Sequence, residues 1–127
     1  MMKRQPVLVS WIGGNDLKAA VENGAGPILS TLRTAPFSAV ELLFNYPESD
    51  VKPYLAWLRN QVDVTVNAYK VDLQSPIHFG EIHKAAEDHL ARLNSESQSI
   101  AILLSPGTPA MQAVWILLGK TRFPAVF

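Results

Sequence analysis

Short apolar runs alternate with helical patterns along the whole chain, and this alternation constrains the fold more than any other feature. Gly, Pro, Asn or Ser marks nearly every change from one pattern to the next. The strand-like runs, of which the first is rich in β-branched residues, cover residues 6–12, 38–45, 62–71, 99–105 and 123–127. Their alternation with helices predicts an α/β fold of three layers, α/β/α, around a mostly parallel sheet of about five strands.

The helical patterns carry apolar residues at the spacing of one helix face. They begin near residue 16, restart at residue 28 after the break at residues 23–27, and recur at 47–61, 79–93 and after Thr108. The third strand differs from the others because Val62, Val64 and Val66 alternate with polar residues. Such alternation predicts a strand with one wetter face, as at the edge of a sheet.

Composition excludes several classes of protein. The chain of 127 residues has no cysteine, and its 11 basic residues balance 11 acidic ones. We therefore expect no disulfide framework, no cysteine zinc site and no general attraction to a nucleic-acid backbone. His78, His83 and His89 match no zinc-binding spacing, so we predict no metal and no cofactor. A balanced chain of this size is expected to form a single domain over residues 1–127 that does not bind DNA directly.

We expect the protein to stay in the cytoplasm, without a membrane anchor. The short basic start at residues 1–4 is followed by an apolar run too short for a signal peptide, and no apolar run is long enough to span a membrane. The chain ends at Phe127 within an apolar run. We therefore expect it to be the N-terminal part of a longer protein.

Two loops are the candidate ligand-binding segments, because ligands of parallel α/β sheets bind beyond the carboxyl ends of the strands. In the first loop, Gly pairs with short polar groups; in the second, Thr108 fits a helix N-cap and Pro109 a first helical residue. Helix-end amides would then point into a crevice. The predicted ligand-binding residues are Trp11, Gly13, Gly14, Asn15, Asp16, Ser105, Pro106, Gly107, Thr108, Met111 and Gln112.

The two loops would face each other if the first strand lay beside the fourth, as we infer from flavodoxin-like sheets. Asp16 argues against a phosphate directly on the first loop, although it could accept hydrogen bonds from ribose hydroxyls. Trp11 is the tryptophan placed to stack on a base. The alternative is that the glycines form only a tight turn and Thr108 only a cap, since neither dinucleotide nor P-loop motifs are present.

The helix after Thr108 has almost no polar face. From Ala110 to Leu118 every residue except Gln112 is apolar, whereas a helix that covers one side of a sheet needs only an apolar stripe. A second apolar surface should cover it, and another copy of the chain is the simplest candidate. The predicted homodimer interface consists of Met111, Val114, Trp115 and Leu118. A neighbouring domain or the last strand could cover the helix instead.

The loop after the first strand and the segment "LLSPGTPAMQAVWILLGKTRFPA", residues 103–125, resemble the CRISPR-associated Rossmann-fold (CARF) domains. They are most similar to the version at the N-terminus of bacterial sigma-54-dependent transcription activators, such as regulators of RNA-repair (Rtc) operons. The resemblance covers most of the chain in the order of its elements, but only residues 103–125 in motif. It implies a Rossmann-like fold.

The resemblance also implies a function. Such domains are dimeric sensors that bind cyclic oligoadenylates or RNA-derived ligands across the two-fold axis and pass occupancy to an attached effector. In the activators that effector is an AAA+ ATPase with a DNA-binding domain. Both predicted loops match the ligand-binding positions of the family, although "GGND" is more acidic than a phosphate-binding loop and few basic residues lie close in sequence.

Two other functions remain open. One is a metal-independent ring nuclease, in which polar groups of the loops align a ribose 2′-hydroxyl for attack on its own phosphate. The other is a dimerisation module that binds no ligand. The leading interpretation is a ligand-sensing regulatory domain without catalytic residues.

Overall fold

A parallel sheet runs through the centre of the fold. The structure, a computed structural model, describes residues 5–127, so the short basic start at residues 1–4 lies outside the described range. The elements in chain order are β1 (Val7–Trp11), α1 (Gly14–Val21), α2 (Gly26–Leu32), β2 (Ala39–Phe44), α3 (Glu48–Gln61), β3 (Thr65–Lys70), α4 (Phe79–Ser95), β4 (Ile100–Ile102) and α5 (Pro109–Lys120). Their order and type confirm the predicted alternation.

The sheet has four parallel strands in the order β3-β2-β1-β4. The predicted fifth strand is reduced to one parallel bridge between Ala101 and Val126. The Ile102 N–H donates to the Val126 carbonyl, and the Val126 N–H donates to the Ile100 carbonyl. Pro124 lacks a backbone N–H, so it cannot donate to a ladder, and the pairing stays confined to Val126.

The strand order settles how the loops are placed. β1 lies between β2 and β4, so the predicted adjacency of the first and fourth strands is confirmed. The order itself corresponds to strands 3-2-1-4 of the Rossmann order and not to the flavodoxin-like order from which we inferred it. β3 lies at the edge, and its alternating burial matches the expectation of one wetter face.

Helices cover both faces of the sheet, which gives three layers. Side chains of α4 and α5 pack with Val7, Val9 and Trp11 of β1 on one face. Side chains of α2 and α3 pack with alternate residues of β2 on the other face, where α1 also lies. The crossovers on either side of β1 therefore go to opposite faces, and the carboxyl ends of β1 and β4 form a topological switch point.

Local sequence explains where the helices near this point begin. Gly26 adopts φ +77°, a conformation that favours glycine, and Pro27 follows it in the first turn of α2. Thr108 caps α5, where its hydroxyl oxygen accepts from the Met111 N–H at 3.3 Å, and Pro109 follows as the first helical residue. Within residues 5–127, no helix is long and apolar enough to cross a membrane.

One charged side chain lies buried near the middle of the sheet. Glu41 of β2 is only 3% exposed, and it accepts hydrogen bonds from Asn67, Tyr69 and Arg92. His89 Nε2 of α4 lies 3.4 Å from Glu41 Oε1. We call these five residues the Glu41 cluster. Burial alone would raise the pKa of the Glu41 carboxyl, but the nearby His89 ring and hydrogen bonds from Asn67 and Arg92 lower that pKa to about 2.

Candidate functional site

The two predicted loops touch each other at the switch point. A Cβ atom on Gly13 would lie 3.0 Å from the backbone nitrogen of Gly107 and 3.3 Å from Cα of Pro106. Gly107 adopts φ +96°, and a Cβ atom there would lie 2.7 Å from Sδ of Met111. The contact between the loops therefore depends on glycine in both of them.

An open cleft of about 370 Å³ lies where these loops meet. All of the ligand-binding residues predicted in the first loop line it, and so do those predicted in the second loop except Gln112. Gln112 Nε2 donates to the Ser105 carbonyl at 3.4 Å, so this side chain contacts the second loop without lining the cleft. The cleft is completed by residues outside the predicted set: Ile12, Pro27, Asn45, Tyr46 and Pro76.

Asp16 is placed to stabilise the first loop, whereas we expected it to accept hydrogen bonds from a ribose. Its side chain is 0% exposed, and its carboxylate accepts from the backbone N–H of Gly13 at 2.9 Å and of Ile28 at 3.0 Å. Burial raises the pKa of this carboxyl, against the lowering effect of the two backbone hydrogen bonds. Asp16 thus holds the first loop against α2, and its charge does not face a ligand in the cleft.

Trp11 also differs from expectation, because its ring is not free to stack on a base. It is buried in the floor of the cleft, where its ring centroid lies 6.4 Å from that of Trp115 in α5. The tryptophan pair therefore joins the cleft to the interior of the layer formed by α4 and α5.

The electrostatic character of the cleft comes from the main chain. α1 and α5 both begin among the residues that line the cleft, so the positive ends of two helix dipoles lie beside it. Some N–H groups at these ends already have acceptors, since Gly13 donates to Asp16 and Met111 donates to Thr108. Among the described residues that line the cleft there is no Lys, Arg or His. Anionic groups would therefore meet N–H donors at helix ends and not cationic side chains.

Thr108 does more than cap its helix. Its hydroxyl also donates to the Pro76 carbonyl at 2.7 Å, which ties the segment between β3 and α4 to the start of α5. Because both capping and tethering use the same hydroxyl, Thr108 shapes the cleft wall from two sides.

Asn45 and Tyr46 are the functional candidates that the sequence analysis missed. They follow β2 directly, and the register of Trp11 with Leu43 places them at the same sheet edge as the two predicted loops. The rule that identified the other loops would also have identified this one, had the neighbour of the first strand been known. The segment after β2 contains no glycine and no capping motif that would have identified it from the sequence.

The apolar character of α5 is confirmed, but the structure distributes it differently from the expected interface. Met111, Val114, Trp115 and Leu118 are buried within the protomer itself. The outward face of α5 carries Ala113, Ile116 and Leu117, and the last two are 46% and 45% exposed. The unpartnered apolar surface of this helix therefore consists of residues outside the predicted set.

The histidines do not form a metal site. His78 caps α4 through Nδ1, which accepts from the Glu81 N–H at 3.3 Å, and His89 belongs to the Glu41 cluster. Over the part of the chain that the structure describes, no three His, Cys, Asp or Glu residues group as metal ligands would.

Comparison of sequences gave no match: no protein-family model and no curated protein matches this chain. Solved structures do resemble it. Csm6 of Enterococcus italicus, bound to cyclic hexa-2′-fluoro-hexa-dAMP, matches 94% of this chain with a TM-score of 0.78 and 15% sequence identity. Can2 of Sulfobacillus thermosulfidooxidans, in complex with cyclic tetra-adenylate, matches 90% with a TM-score of 0.65 and 14% identity.

These likenesses show the fold of the chain, a Rossmann-like α/β fold that it shares with parts of both proteins. The chain covers 32% of the Csm6 chain and 29% of the Can2 chain, so it spans about a third of the length of the proteins that it resembles. Both of those structures hold a cyclic adenylate.

Proposed function

We propose that this chain is a ligand-sensing domain that binds a nucleotide effector, a cyclic oligoadenylate or an RNA-derived nucleotide, in the cleft at the switch point. The observation that carries the proposal is the convergence of α1 and α5 on one cleft. The cyclic adenylates bound by the two structural neighbours supply the ligand class.

The cleft suits a phosphodiester whose charge is met by backbone amides. Helix N-termini bind phosphate through N–H groups and the helix dipole, without a requirement for cationic side chains. The Asp16 carboxylate is buried and accepts from the backbone N–H groups of Gly13 and Ile28, so its oxygens do not project towards a phosphate at the first loop.

The size of the cleft supports a site shared between two copies. At about 370 Å³ it lies near the lower end of the roughly 300–1,000 Å³ range of small-molecule pockets, so one cleft takes only part of a ring of nucleotides. We propose a homodimer across the outward face of α5, which begins at the cleft and exposes Ile116 and Leu117. A two-fold axis there brings two clefts to one ligand.

The regulatory setting of the domain follows from the resemblance at residues 103–125. We propose that it lies in the cytoplasm as the N-terminal domain of a bacterial transcription regulator. Occupancy of the cleft would control an attached AAA+ sigma-54 activator module, and a separate domain would bind DNA. The support for this part is the motif resemblance alone.

The first experiment measures binding of cyclic tetra-adenylate, cyclic hexa-adenylate and an RNA with a 2′,3′-cyclic phosphate end by thermal shift and calorimetry. A ligand at a concentration of about a hundred times its Kd stabilises the folded state by about 2.7 kcal/mol, so the melting temperature of the protein should rise by several degrees. Gly14→Val should abolish the shift, because a Cβ atom at Gly14 projects to within 3.4 Å of the Tyr46 hydroxyl at the cleft wall.

Gly24→Val is the matched control, since the nearest atoms to its added Cβ lie 3.8 Å away, outside the cleft. A stoichiometry of one ring per two chains is expected. One ring per chain would contradict the shared site, and no response to any of the three ligands would overturn the sensor proposal. Release of linear adenylates during incubation, lost in Ser105→Ala, would favour the ring nuclease instead.

A further inference from the structure

Asn45 and Tyr46 form a third wall of the cleft, and its chemistry differs from that of the other two. The first wall is the start of α1 and the second is the loop before α5, and both are built around a glycine and the start of a helix. The third wall presents a carboxamide and an aromatic ring. These side chains follow β2, whose pairing with β1 fixes their position at this edge of the sheet.

The carboxamide of Asn45 has a defined orientation. The backbone N–H of Leu73 donates to Asn45 Oδ1 at 3.2 Å, and only the oxygen of the amide can accept that bond. The Nδ2 group is therefore the end that remains available, and no residue in the described range 5–127 accepts a hydrogen bond from it. The third wall thus offers a fixed donor.

Tyr46 places an aromatic surface beside this donor. The residue is 36% exposed, and its hydroxyl lies 3.4 Å from the point where a Cβ on Gly14 would be. Its side chain therefore lies alongside the first residue of α1, close to the N–H groups that would hold a phosphate. No hydrogen bond within residues 5–127 fixes the Tyr46 hydroxyl.

We infer that the third wall recognises the base of the nucleotide: Tyr46 stacks on the ring, and Asn45 Nδ2 donates to an acceptor nitrogen of a purine. This inference rests on the proposed function and adds the residues that select the base. An aromatic side chain next to a fixed amide donor is suited to a flat heterocycle with ring acceptors. Trp11 cannot take the stacking role, because it is buried against Trp115.

The test compares cyclic tetra-adenylate with its 1-deaza, 3-deaza and 7-deaza analogues, each of which replaces one ring nitrogen by a C–H group. In the wild-type chain one analogue should bind roughly two- to tenfold more weakly than the parent ring, the cost of one lost hydrogen bond. In Asn45→Asp that ratio should fall to about one. The variant keeps an oxygen for the Leu73 N–H but replaces the donor, and any general repulsion of phosphate cancels in the ratio.

Tyr46→Leu should weaken binding of every ring by roughly tenfold or more, whereas Tyr46→Phe should bind as the wild type does. Phe79→Leu is the control, because Phe79 is an exposed aromatic residue outside the cleft. Wild-type binding with unchanged affinities and ratios in the Asn45 and Tyr46 variants would overturn this inference and leave the sensor proposal standing. Absence of ring binding by the wild type would overturn the sensor proposal itself.

Discussion

The cleft and the Glu41 cluster are both polar regions of this fold, and they are built on opposite principles. In the cluster a buried carboxylate is matched by its neighbours, since Glu41 is surrounded by Asn67, Tyr69, His89 and Arg92. In the cleft no cationic side chain is present among the described lining residues, and the starts of two helices supply the positive potential. Polar groups that already bond each other stabilise the fold, whereas polar groups without a partner remain available to a ligand.

The largest effect expected from this contrast is the loss of stability in Glu41→Ala. Removal of the carboxylate leaves His89 and Arg92 without their buried partner. We expect the free energy of unfolding to fall by about 2–3 kcal/mol, below the usual 3–5 because Arg92 is partly exposed. Urea denaturation measures this loss, and ligand affinity below the melting transition should stay unchanged. A loss of stability under about 1 kcal/mol would show that the cluster contributes little.

Gly107→Ala tests the cleft side of the contrast and should have a smaller effect on stability. The positive φ of Gly107 and the contact of an added Cβ with Met111 Sδ predict a loss of about 1–2 kcal/mol. Ligand affinity should fall as well, because this loop forms the second wall. Unaltered affinity in a folded Gly107→Ala variant, measured by calorimetry, would place the ligand elsewhere.

The smallest effect concerns pH. The Glu41 carboxyl has its pKa lowered from 4.5 to about 2, so its stabilising contribution is complete above pH 4.5 and is lost as pH falls towards 2. Over about the first pH unit below 4.5 this amounts to a loss of about 1 kcal/mol. Asp16, whose pKa is raised by burial, acts in the opposite direction.

Urea denaturation at each pH, compared between the wild type and Glu41→Gln, isolates this contribution. The variant should lack the part of the acid dependence that belongs to Glu41. Equal pH dependence in the two proteins would assign the acid sensitivity to other groups.

The sequence predicted the fold well where local patterns and sheet position agree. The alternating third strand was expected at an edge and lies there, because one face of β3 is left wetter. The prediction of a strand at residues 123–127 was less successful. The run is apolar, as a buried strand would be, but Pro124 limits its pairing to one bridge. A short run does not show how many of its residues find a partner.

The candidate site was predicted in part for similar reasons. The roles of Gly13 and Gly107 in the close contact of the loops, and of Thr108 as a helix cap, can be predicted from their residue types. Asn45 and Tyr46 belong to the cleft only because β2 pairs with β1, which is a tertiary fact. In α5 the spacing of Met111, Val114, Trp115 and Leu118 defined one face correctly, but in a helix that is apolar all round the pattern does not say which face meets its own core.

The main-chain character of the cleft also bears on how such a domain can be recognised. A cleft wall made of the backbone at helix starts depends on the path of the main chain and on glycine at a few contacts. It depends on the identity of few other side chains. Most residues around it are then free to drift while the shape persists. The chain matches Csm6 over 94% of its own length with 15% sequence identity, which is consistent with a site that depends on few residue types. Similarity of this kind is detected by comparing structures and not by comparing sequences.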